Sequence, residues 1–271
     1  MTTMIGKGNQ LVRRIRILRR DRTERVRQGV FLAEGIHLCQ EALASGVELE
    51  QVVYSDRLST TDEGAALLAA LQRSGAVLDE TSATILDSMQ DVRSPQPVLS
   101  LVRMGAAAFD DLLNPERETA LLVVAHDIQD PGNLGTIIRT ADAAGATGLI
   151  ATGSGVDLHH PRTVRSTMGS LFRLPTLHCP DILDVILRLE QERFWKVAAE
   201  TGTGPRPEEV DWSRKTALFL GPERGGIPDE ARSRMDSSLT IPMATGVDSL
   251  SVGAAAAVIL FAARRVRNPA E

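Results

Sequence analysis

Short, mostly apolar runs alternate with helix-like segments through the second half of this chain. Residues 120–125 read ALLVVA, and comparable runs follow at 148–152, 194–199 and 216–220. The helix-like segments are residues 133–144, 181–192 and 249–265. A strand without polar alternation is buried on both faces, as in parallel sheets covered by helices. An α/β domain is therefore predicted here, and ligands of such sheets bind at the carboxyl ends of the strands.

The first hundred residues carry shorter strand and helix patterns. Strands are predicted at 49–54 and 98–102, and Thr81-Ser82 is a helix-capping signal. A chain of 271 residues is long enough for two domains. We predict a smaller N-terminal α/β domain over residues 1–104, a linker of small, acidic and proline residues over 105–118, and the second domain over 119–271.

Three segments rich in small residues follow the predicted strands or open the predicted helices. They are Asn133-Leu-Gly135-Thr-Ile-Ile-Arg139, Leu220-Gly221-Pro-Glu223-Arg-Gly-Gly226, and Ile241-Pro-Met243 continuing to Ser249-Leu250-Ser251. Glycine allows close approach of a ligand to the backbone, and helix N-termini expose free N–H groups. The second segment is not a phosphate-binding P-loop, because no Gly-Lys-Ser/Thr follows it. We predict that the three segments form one binding site.

Each segment also has a purely structural interpretation. Asn133 is placed to cap the helix that follows it, and Ser249 to cap the helix that contains Gly253 and four alanines. That smooth helix permits close packing within the fold or between subunits. Arg139 lies among apolar residues and, if buried, needs an anionic partner, because burying an unpaired charge is very costly.

Positive charge is concentrated near the N-terminus. Residues 11–27 contain eight arginines against Asp21 and Glu24, although the whole chain carries a net charge of −5. Leu11, Ile15 and Leu18 recur at helical spacing, which predicts one amphipathic helix with a basic outer face. Too few acidic residues are nearby for a ladder of i,i+4 pairs, so contact with nucleic acid is favoured over a merely solvated face.

No feature of the sequence predicts a membrane, metal or disulfide protein. No signal-peptide core precedes the arginines, and the most apolar stretch, residues 252–263, is shorter than the roughly 20 residues of a membrane span. Cys39 and Cys179 are far apart, and His159-His160 has no ligand partners at suitable spacing. A cytoplasmic protein without a metal is expected.

In this order and at this spacing, the three segments resemble the motifs of the SpoU (TrmH-type) RNA ribose 2′-O-methyltransferases of the SPOUT superfamily. Upstream, Phe31-Leu-Ala-Glu34-Gly35 is similar to the substrate-binding domain that ribosomal-RNA members carry before the catalytic domain. Pro161-Arg-x-Val-Arg165-Ser-x-Met-Gly169-Ser170 is similar to a connecting segment of the family. One position departs, because Ser251 stands where the family usually has asparagine.

The resemblance implies a fold, a cofactor and partners. The expected fold is a SPOUT domain with a C-terminal trefoil knot, preceded by a ribosomal-protein-like α/β domain. S-adenosylmethionine (SAM) would be bound by the knot loops of a homodimer. The expected reaction is methylation of a ribose 2′-hydroxyl, with large-subunit ribosomal RNA favoured as substrate and transfer RNA as the alternative.

The resemblance also implies roles for particular residues. Cofactor contacts are expected from Thr201, Gly202, Leu220, Gly221, Ile241 and Leu250. Catalytic roles are expected for Arg139, Asn133, Glu223 and Ser249, and in the family the residue matching Arg139 has been proposed as the general base. Because arginine is a poor base, we favour the hypothesis that Arg139 binds the adjacent phosphate and stabilises the developing alkoxide, while Asn133 and Glu223 orient it. RNA contacts are expected from Arg13, Arg16, Arg20, Arg22 and Arg165.

Two other classes of protein fit part of the sequence. A Rossmann-type methyltransferase is suggested by Glu200-Thr-Gly202-Thr-Gly204 after a strand, although Pro205 follows directly and about 70 residues remain. A non-catalytic RNA-binding module with a degenerate methyltransferase domain is suggested by Ser251.

Overall fold

The computed structural model describes residues 3–105, 107–113, 119–202, 204–222 and 225–267. The chain divides into two compact units, one spanning Met1–Ala106 and His159–Phe172, the other Ala107–Leu158 and Arg173–Glu271. Residues 159–172, predicted as part of the second domain, thus pack with the first unit. None of the helices in the described ranges has the length and apolar character needed to cross a membrane.

The first unit is built on a mixed five-stranded sheet. Its elements, in chain order to residue 105, are β1 (Thr3–Met4), α1 (Gln10–Arg20), α2 (Arg22–Gln28), β2 (Val30–Glu34), α3 (Ile36–Ala44), β3 (Leu49–Tyr54), α4 (Asp62–Ser74), β4 (Leu78–Glu80), α5 (Ala83–Asp87) and β5 (Val98–Arg103). The strand order is β1-β4-β3-β5-β2, in which β5 runs antiparallel to both of its neighbours. The two predicted strands are confirmed as β3 and β5.

The arginine-rich segment forms two helices, so the prediction of one continuous helix was wrong. Asp21 interrupts it with extended backbone (φ −111°, ψ 109°), and its carboxylate accepts a hydrogen bond from the N–H of Glu24. A short acidic side chain satisfies the free N–H groups of a new helix, so it favours a break at this position. The predicted apolar face is confirmed, since Leu11, Ile15 and Leu18 are all buried.

The second unit is built on a parallel six-stranded sheet. Elements of the remaining chain are α6 (Phe109–Leu113), β6 (Leu121–His126), α7 (Pro131–Ala143), β7 (Gly148–Thr152), α8 (Pro161–Thr167, in the first unit), β8 (Thr176–His178), α9 (Ile182–Gln191), β9 (Trp195–Ala199), β10 (Thr216–Leu220), α10 (Asp229–Arg232), β11 (Ser237–Leu239) and α11 (Val252–Arg267). The order is β11-β9-β10-β6-β7-β8 and every pairing is parallel. The predicted parallel α/β sheet is confirmed.

Both faces of this sheet are covered. On β6, Leu122 and Val124 join a core cluster with α6 and α9, whereas Leu121 and Val123 point to the opposite face and are equally buried. Helix α6 lies within the predicted linker, yet its two leucines are buried in that cluster. Acidic residues at 110 and 111 suggested a solvated segment, whereas the Leu112-Leu113 pair supplies the apolar side of a short helix.

The strand order separates this sheet from a Rossmann fold. Numbered within the sheet, the strands run 6-4-5-1-2-3, whereas the doubly wound dinucleotide-binding sheet has the order 3-2-1-4-5-6. The fourth and fifth strands are therefore exchanged. The turn that follows β9 resembles a Rossmann loop only locally.

Candidate cofactor site and nucleic-acid surface

A cavity of about 750 Å³ lies at the carboxyl ends of the three neighbouring strands β11, β9 and β10. Its volume is within the range of small-molecule and cofactor sites, about 300–1,000 Å³. It is lined by all six residues predicted to contact the cofactor, Thr201, Gly202, Leu220, Gly221, Ile241 and Leu250, and by Ser249. The structure thus brings together residues that are up to 49 positions apart in the sequence.

At Gly221 the cavity wall packs closely against the backbone of the loop at residues 226–227. A Cβ atom at this position would lie 2.9 Å from the carbonyl carbon of Gly226 and 3.1 Å from the nitrogen of Ile227. Both atoms belong to backbone, so no side-chain rotation can relieve the clash. Gly225 and Gly226 have φ angles of +91° and +65°, which favour glycine and turn the loop back over Gly221.

The cavity has an apolar wall and a charged rim. Aliphatic side chains from β10, from the loops after β10 and β11, and from α11 form the wall: Leu220, Ile227, Ile241, Leu250 and Ile259. On the rim, the guanidinium of Arg232 pairs with both carboxylate oxygens of Glu200, Nε to Oε1 at 2.7 Å and Nη2 to Oε2 at 2.9 Å. The pair fixes the direction of the carboxylate beside Thr201.

Glu200, Arg232 and the first turns of α11 were missed as site residues. Val252, Ala255 and Ile259 line the cavity from one side of α11, at the helical spacing of three and four. That spacing was visible in the sequence, but it is equally typical of a core-facing helix. Glu200 and Arg232 are 32 positions apart, and nothing local in the sequence links them.

Of the predicted catalytic residues, Ser249 lines the cavity, whereas Arg139 and Asn133 do not. Arg139 is exposed on α7 and makes no ion pair or hydrogen bond with the described residues, so the structural interpretation, a buried guanidinium in a salt bridge, does not apply. Asn133 also lies on α7, and its Oδ1 would be 3.3 Å from a Cβ atom added to Gly253. Glu223 lies outside the described residues.

Both predicted helix caps are displaced. Asp130 rather than Asn133 caps α7, because its side chain accepts from the N–H of Asn133 at 2.9 Å and Pro131 occupies the first turn. Ser251 rather than Ser249 caps α11, with its hydroxyl accepting from the N–H of Ala254 at 3.3 Å. Ser249 is thereby left exposed beside the cavity, and Ser251 has a structural role of its own.

The arginines of α1 and α2 do not form a uniform basic face. Arg25 is buried and donates to the carbonyl of Leu18 at 2.6 Å. Three others are bound by groups of the same unit: Arg14 by Glu50, Arg19 by the Gln90 carbonyl, and Arg27 by Glu24. Of the predicted RNA contacts, Arg13 and Arg20 are exposed, Arg22 is half-buried, and Arg16 bonds the hydroxyl of Ser88. The surface available to a polyanion is smaller than the sequence suggested.

Arg165 is paired with a buried carboxylate. Its Nη1 lies 2.5 Å from Oε2 of Glu34, whose side chain is 1% exposed. The other oxygen, Oε1, is buried and has no hydrogen-bond partner among the described groups. Burial raises the pKa of Glu34, and the neighbouring Arg165 and Arg19 only partly offset that effect.

We expect Glu34→Gln to gain stability over the native protein as the pH rises above the unfolded value of 4.5 for glutamate. A carboxyl whose folded pKa is raised contributes stability fully below the unfolded pKa and loses it as the pH rises through the folded pKa. Glutamine cannot ionise, yet it can still accept the hydrogen bond of Arg165. Urea unfolding from pH 4 to pH 8 measures the difference, and a difference independent of pH would contradict the prediction.

Comparisons with known proteins match nearly the whole chain. Residues 120–261 match the SpoU rRNA methylase family, and residues 9–100 match an MRM3-like substrate-binding domain. The chain is 31% identical over 256 residues to a 23S rRNA (uridine(2479)-2′-O)-methyltransferase of Streptomyces viridochromogenes, covering 91% of this chain and 86% of that protein.

Two solved structures share the fold. The SpoU methyltransferase AviRb of Streptomyces viridochromogenes in complex with AdoMet superposes with a TM-score of 0.85 and 29% identity, covering 95% of this chain and 97% of that one. An AdoMet-bound rRNA methyltransferase of Sinorhizobium meliloti gives a TM-score of 0.84 and 30% identity, over 97% and 98% of the two chains.

Proposed function

This chain belongs to the SpoU rRNA methylase family, and from that premise we propose that it is a SAM-dependent enzyme that methylates a ribose 2′-hydroxyl of RNA, in large-subunit ribosomal RNA. The observation that carries the proposal is the cavity at the carboxyl ends of β11, β9 and β10, which is lined by the second and third motif segments. A ribosomal RNA substrate would place the protein in the cytoplasm.

The cavity fits SAM in size and chemistry. Its aliphatic wall suits the flat adenine ring, and the backbone groups of Thr201, Gly202 and Gly221 can approach the cofactor without side-chain obstruction. The rim carries three carboxylates, Glu200, Asp229 and Asp248, against Arg232. An excess of negative charge suits a ligand with a sulfonium and an ammonium group. We also infer that the loops of this cavity form the trefoil knot of the family.

The chemistry that this chain must provide is mainly positioning. SAM, when bound, supplies a methyl group on a cationic sulfur. The residues of this chain would hold the ribose 2′-hydroxyl in line with that methyl group. Arg139 would hold the adjacent phosphate and stabilise negative charge on the 2′-oxygen, with Asn133 and Glu223 orienting it. Arginine stays protonated at physiological pH, which makes it a poor base.

We further propose that the active form is a homodimer. Helix α11 exposes Val258 and Phe261, which are 45% and 46% accessible and lie on one side of the helix. Helix α11 packs on α7 through Gly253. Arg139 on α7 does not line the cavity of its own chain. We therefore propose that, in a dimer formed through this region, Arg139 acts on the cavity of the other subunit.

We expect Phe261→Asp to weaken dimerisation by about 100-fold or more, because a buried unpaired carboxylate costs several kcal/mol. Light scattering after size-exclusion chromatography over a range of concentrations measures the effect. Leu187→Asp is a matched control, since Leu187 is 45% exposed on α9 and away from α11. If Phe261→Asp leaves the dimerisation affinity unchanged, the exposed face of α11 is not the dimer interface.

Two experiments test the function. Calorimetry of the purified protein with SAM measures cofactor binding. Failure to bind SAM at high protein concentration would overturn the proposal that the protein is a SAM-dependent enzyme. Mapping of 2′-O-methyl groups in ribosomal and transfer RNA, from cells with and without the protein, identifies the substrate. Loss of one site in 23S rRNA is expected, whereas loss of a transfer-RNA site would favour the alternative substrate.

A further inference from the structure

An ion pair lies on the rim of the cofactor cavity. Glu200 directly follows β9, Arg232 is the last residue of α10, and both line the cavity. The guanidinium meets the carboxylate at two points, with Nε 2.7 Å from Oε1 and Nη2 2.9 Å from Oε2. The backbone N–H of Glu200 donates to the carbonyl of Leu239 on β11, and the N–H of Arg232 donates to the carbonyl of Pro228. The backbone at both ends of the pair is therefore anchored.

The pair leaves hydrogen-bonding groups of both side chains available. A guanidinium carries five N–H donors, and the contact with Glu200 uses two of them. Each carboxylate oxygen can accept more than one hydrogen bond. The side chains of Arg232 and Glu200 are 58% and 24% exposed, and ion pairs in such positions contribute little to stability. The pair therefore adds little to the stability of the fold and can bind a further polar group from the cavity.

Arg232 is the one positively charged side chain among the described residues that line the cavity. Asp229 and Asp248 add two carboxylates to that of Glu200. An anionic group of a ligand is repelled by these carboxylates, so its favourable position is at Arg232. A cationic group has the opposite preference. Glu200 and Arg232 thus present a negative and a positive charge side by side.

The amino-acid end of SAM carries two charges that complement this pair. Its α-carboxylate and α-ammonium group are attached to one carbon atom, so they need a cation and an anion at neighbouring positions. Hydrogen bonds between charged groups are stronger than those between neutral groups, and the planar guanidinium matches the geometry of a carboxylate. With the adenine ring on the aliphatic wall, the amino-acid end is the part of the cofactor that requires the charged rim.

We propose that Arg232 binds the α-carboxylate of SAM, that Glu200 binds its α-ammonium group, and that the contact between the two residues orients the guanidinium for this. The inference rests on the proposed function and deepens it, because it assigns the part of the site that recognises the amino-acid end of the cofactor. SAM and S-adenosylhomocysteine both have the α-carboxylate. Decarboxylated SAM lacks it, and methylthioadenosine lacks the whole amino-acid end. Arg232 therefore determines which of these four ligands bind tightly.

Arg232→Gln, titrated by calorimetry with these four ligands, tests the proposal. The affinities for SAM and S-adenosylhomocysteine should fall about tenfold or more, the usual effect of losing a hydrogen bond between charged groups. The affinity for decarboxylated SAM should stay the same or rise, because a cation that repels its sulfonium and ammonium groups is removed. Methylthioadenosine should bind unchanged, which shows that the cavity is intact. Arg232→Lys should keep part of the SAM affinity, since lysine retains the charge but not the two-point contact.

Arg234→Gln is the matched control, because it changes the net charge equally. Arg234 lies two positions along the chain, pairs with Glu190 at 2.9 Å and does not line the cavity. This variant should bind all four ligands like the native protein. The proposal is overturned if Arg232→Gln keeps the native SAM affinity, or if it weakens SAM and decarboxylated SAM equally, which would indicate a merely structural role. In both cases the native protein still binds SAM, whereas a native protein that binds none of the ligands overturns the proposed function as well.

Discussion

Gly221→Val should weaken SAM binding by more than 100-fold and abolish methyl transfer at ordinary cofactor concentrations. Even the first added carbon would lie 2.9 Å and 3.1 Å from two backbone atoms, so the loop of residues 225–227 has to move. That loop lines the cavity together with Gly221, so its displacement changes the wall that faces the cofactor. Isothermal titration calorimetry measures the affinity, and Gly221→Ala should show a smaller loss.

Gly204→Ala is the matched control for this change. Its added Cβ atom would meet no heavy atom closer than 3.7 Å, and Gly204 does not line the cavity. The control should bind SAM like the native protein. If Gly221→Val folds with a native melting temperature and retains SAM affinity, the cofactor is bound elsewhere and the cavity assignment fails.

The sheet of the second unit could be predicted because its signal is local. The strand at 216–220 was predicted with its observed bounds, and so was the strand at 148–152. Short, mostly apolar runs without polar alternation are typical of buried parallel strands. The six residues expected to contact the cofactor line one cavity. They were identified through the resemblance of the motifs rather than through any property of the single residues.

The helix starts show where local signals compete. Asp130-Pro131 and Asn133 are both acceptable starts for α7, and the proline at the first turn decides in favour of Asp130. Ser249 and Ser251 are likewise both acceptable starts for α11. Which serine caps α11 depends on where the loop that lines the cavity ends and the helix begins, and tertiary packing decides that point.

Pairing between distant charges could not be predicted. Counting neighbours along the helix left the arginines of residues 11–27 without partners, yet Arg14 is bound by Glu50 of β3, 36 positions away. Arg165 is bound by Glu34, 131 positions away. Such pairs depend on the strand order of the first unit and on the packing of residues 159–172 with that unit. Neither feature produces a periodic pattern in the sequence.

Arg139→Ala should lower the single-turnover rate of methyl transfer by about 100- to 1,000-fold, the usual effect of removing a group that stabilises a developing oxyanion. SAM affinity should not change, because the proposed contacts of Arg139 are with the RNA phosphate and the 2′-oxygen and not with the cofactor. Arg139→Lys should recover part of the rate, since it keeps the charge but loses the planar two-point contact with phosphate. Arg73→Ala, at an exposed arginine of the first unit, is the control and should leave the rate unchanged.

The pH dependence of these variants distinguishes an electrostatic role from a role as general base. If Arg139 only positions and stabilises, the lysine variant should have the same pH profile as the native enzyme at a lower rate. A new basic limb in that variant would instead indicate proton transfer.

Mixing Arg139→Ala with Gly221→Val subunits adds a test of the dimer. Such heterodimers contain one intact cavity, and its own chain lacks Arg139. Activity in the mixture therefore requires that Arg139 act on the cavity of the other subunit, and an inactive mixture of confirmed heterodimers would show that it acts within its own chain.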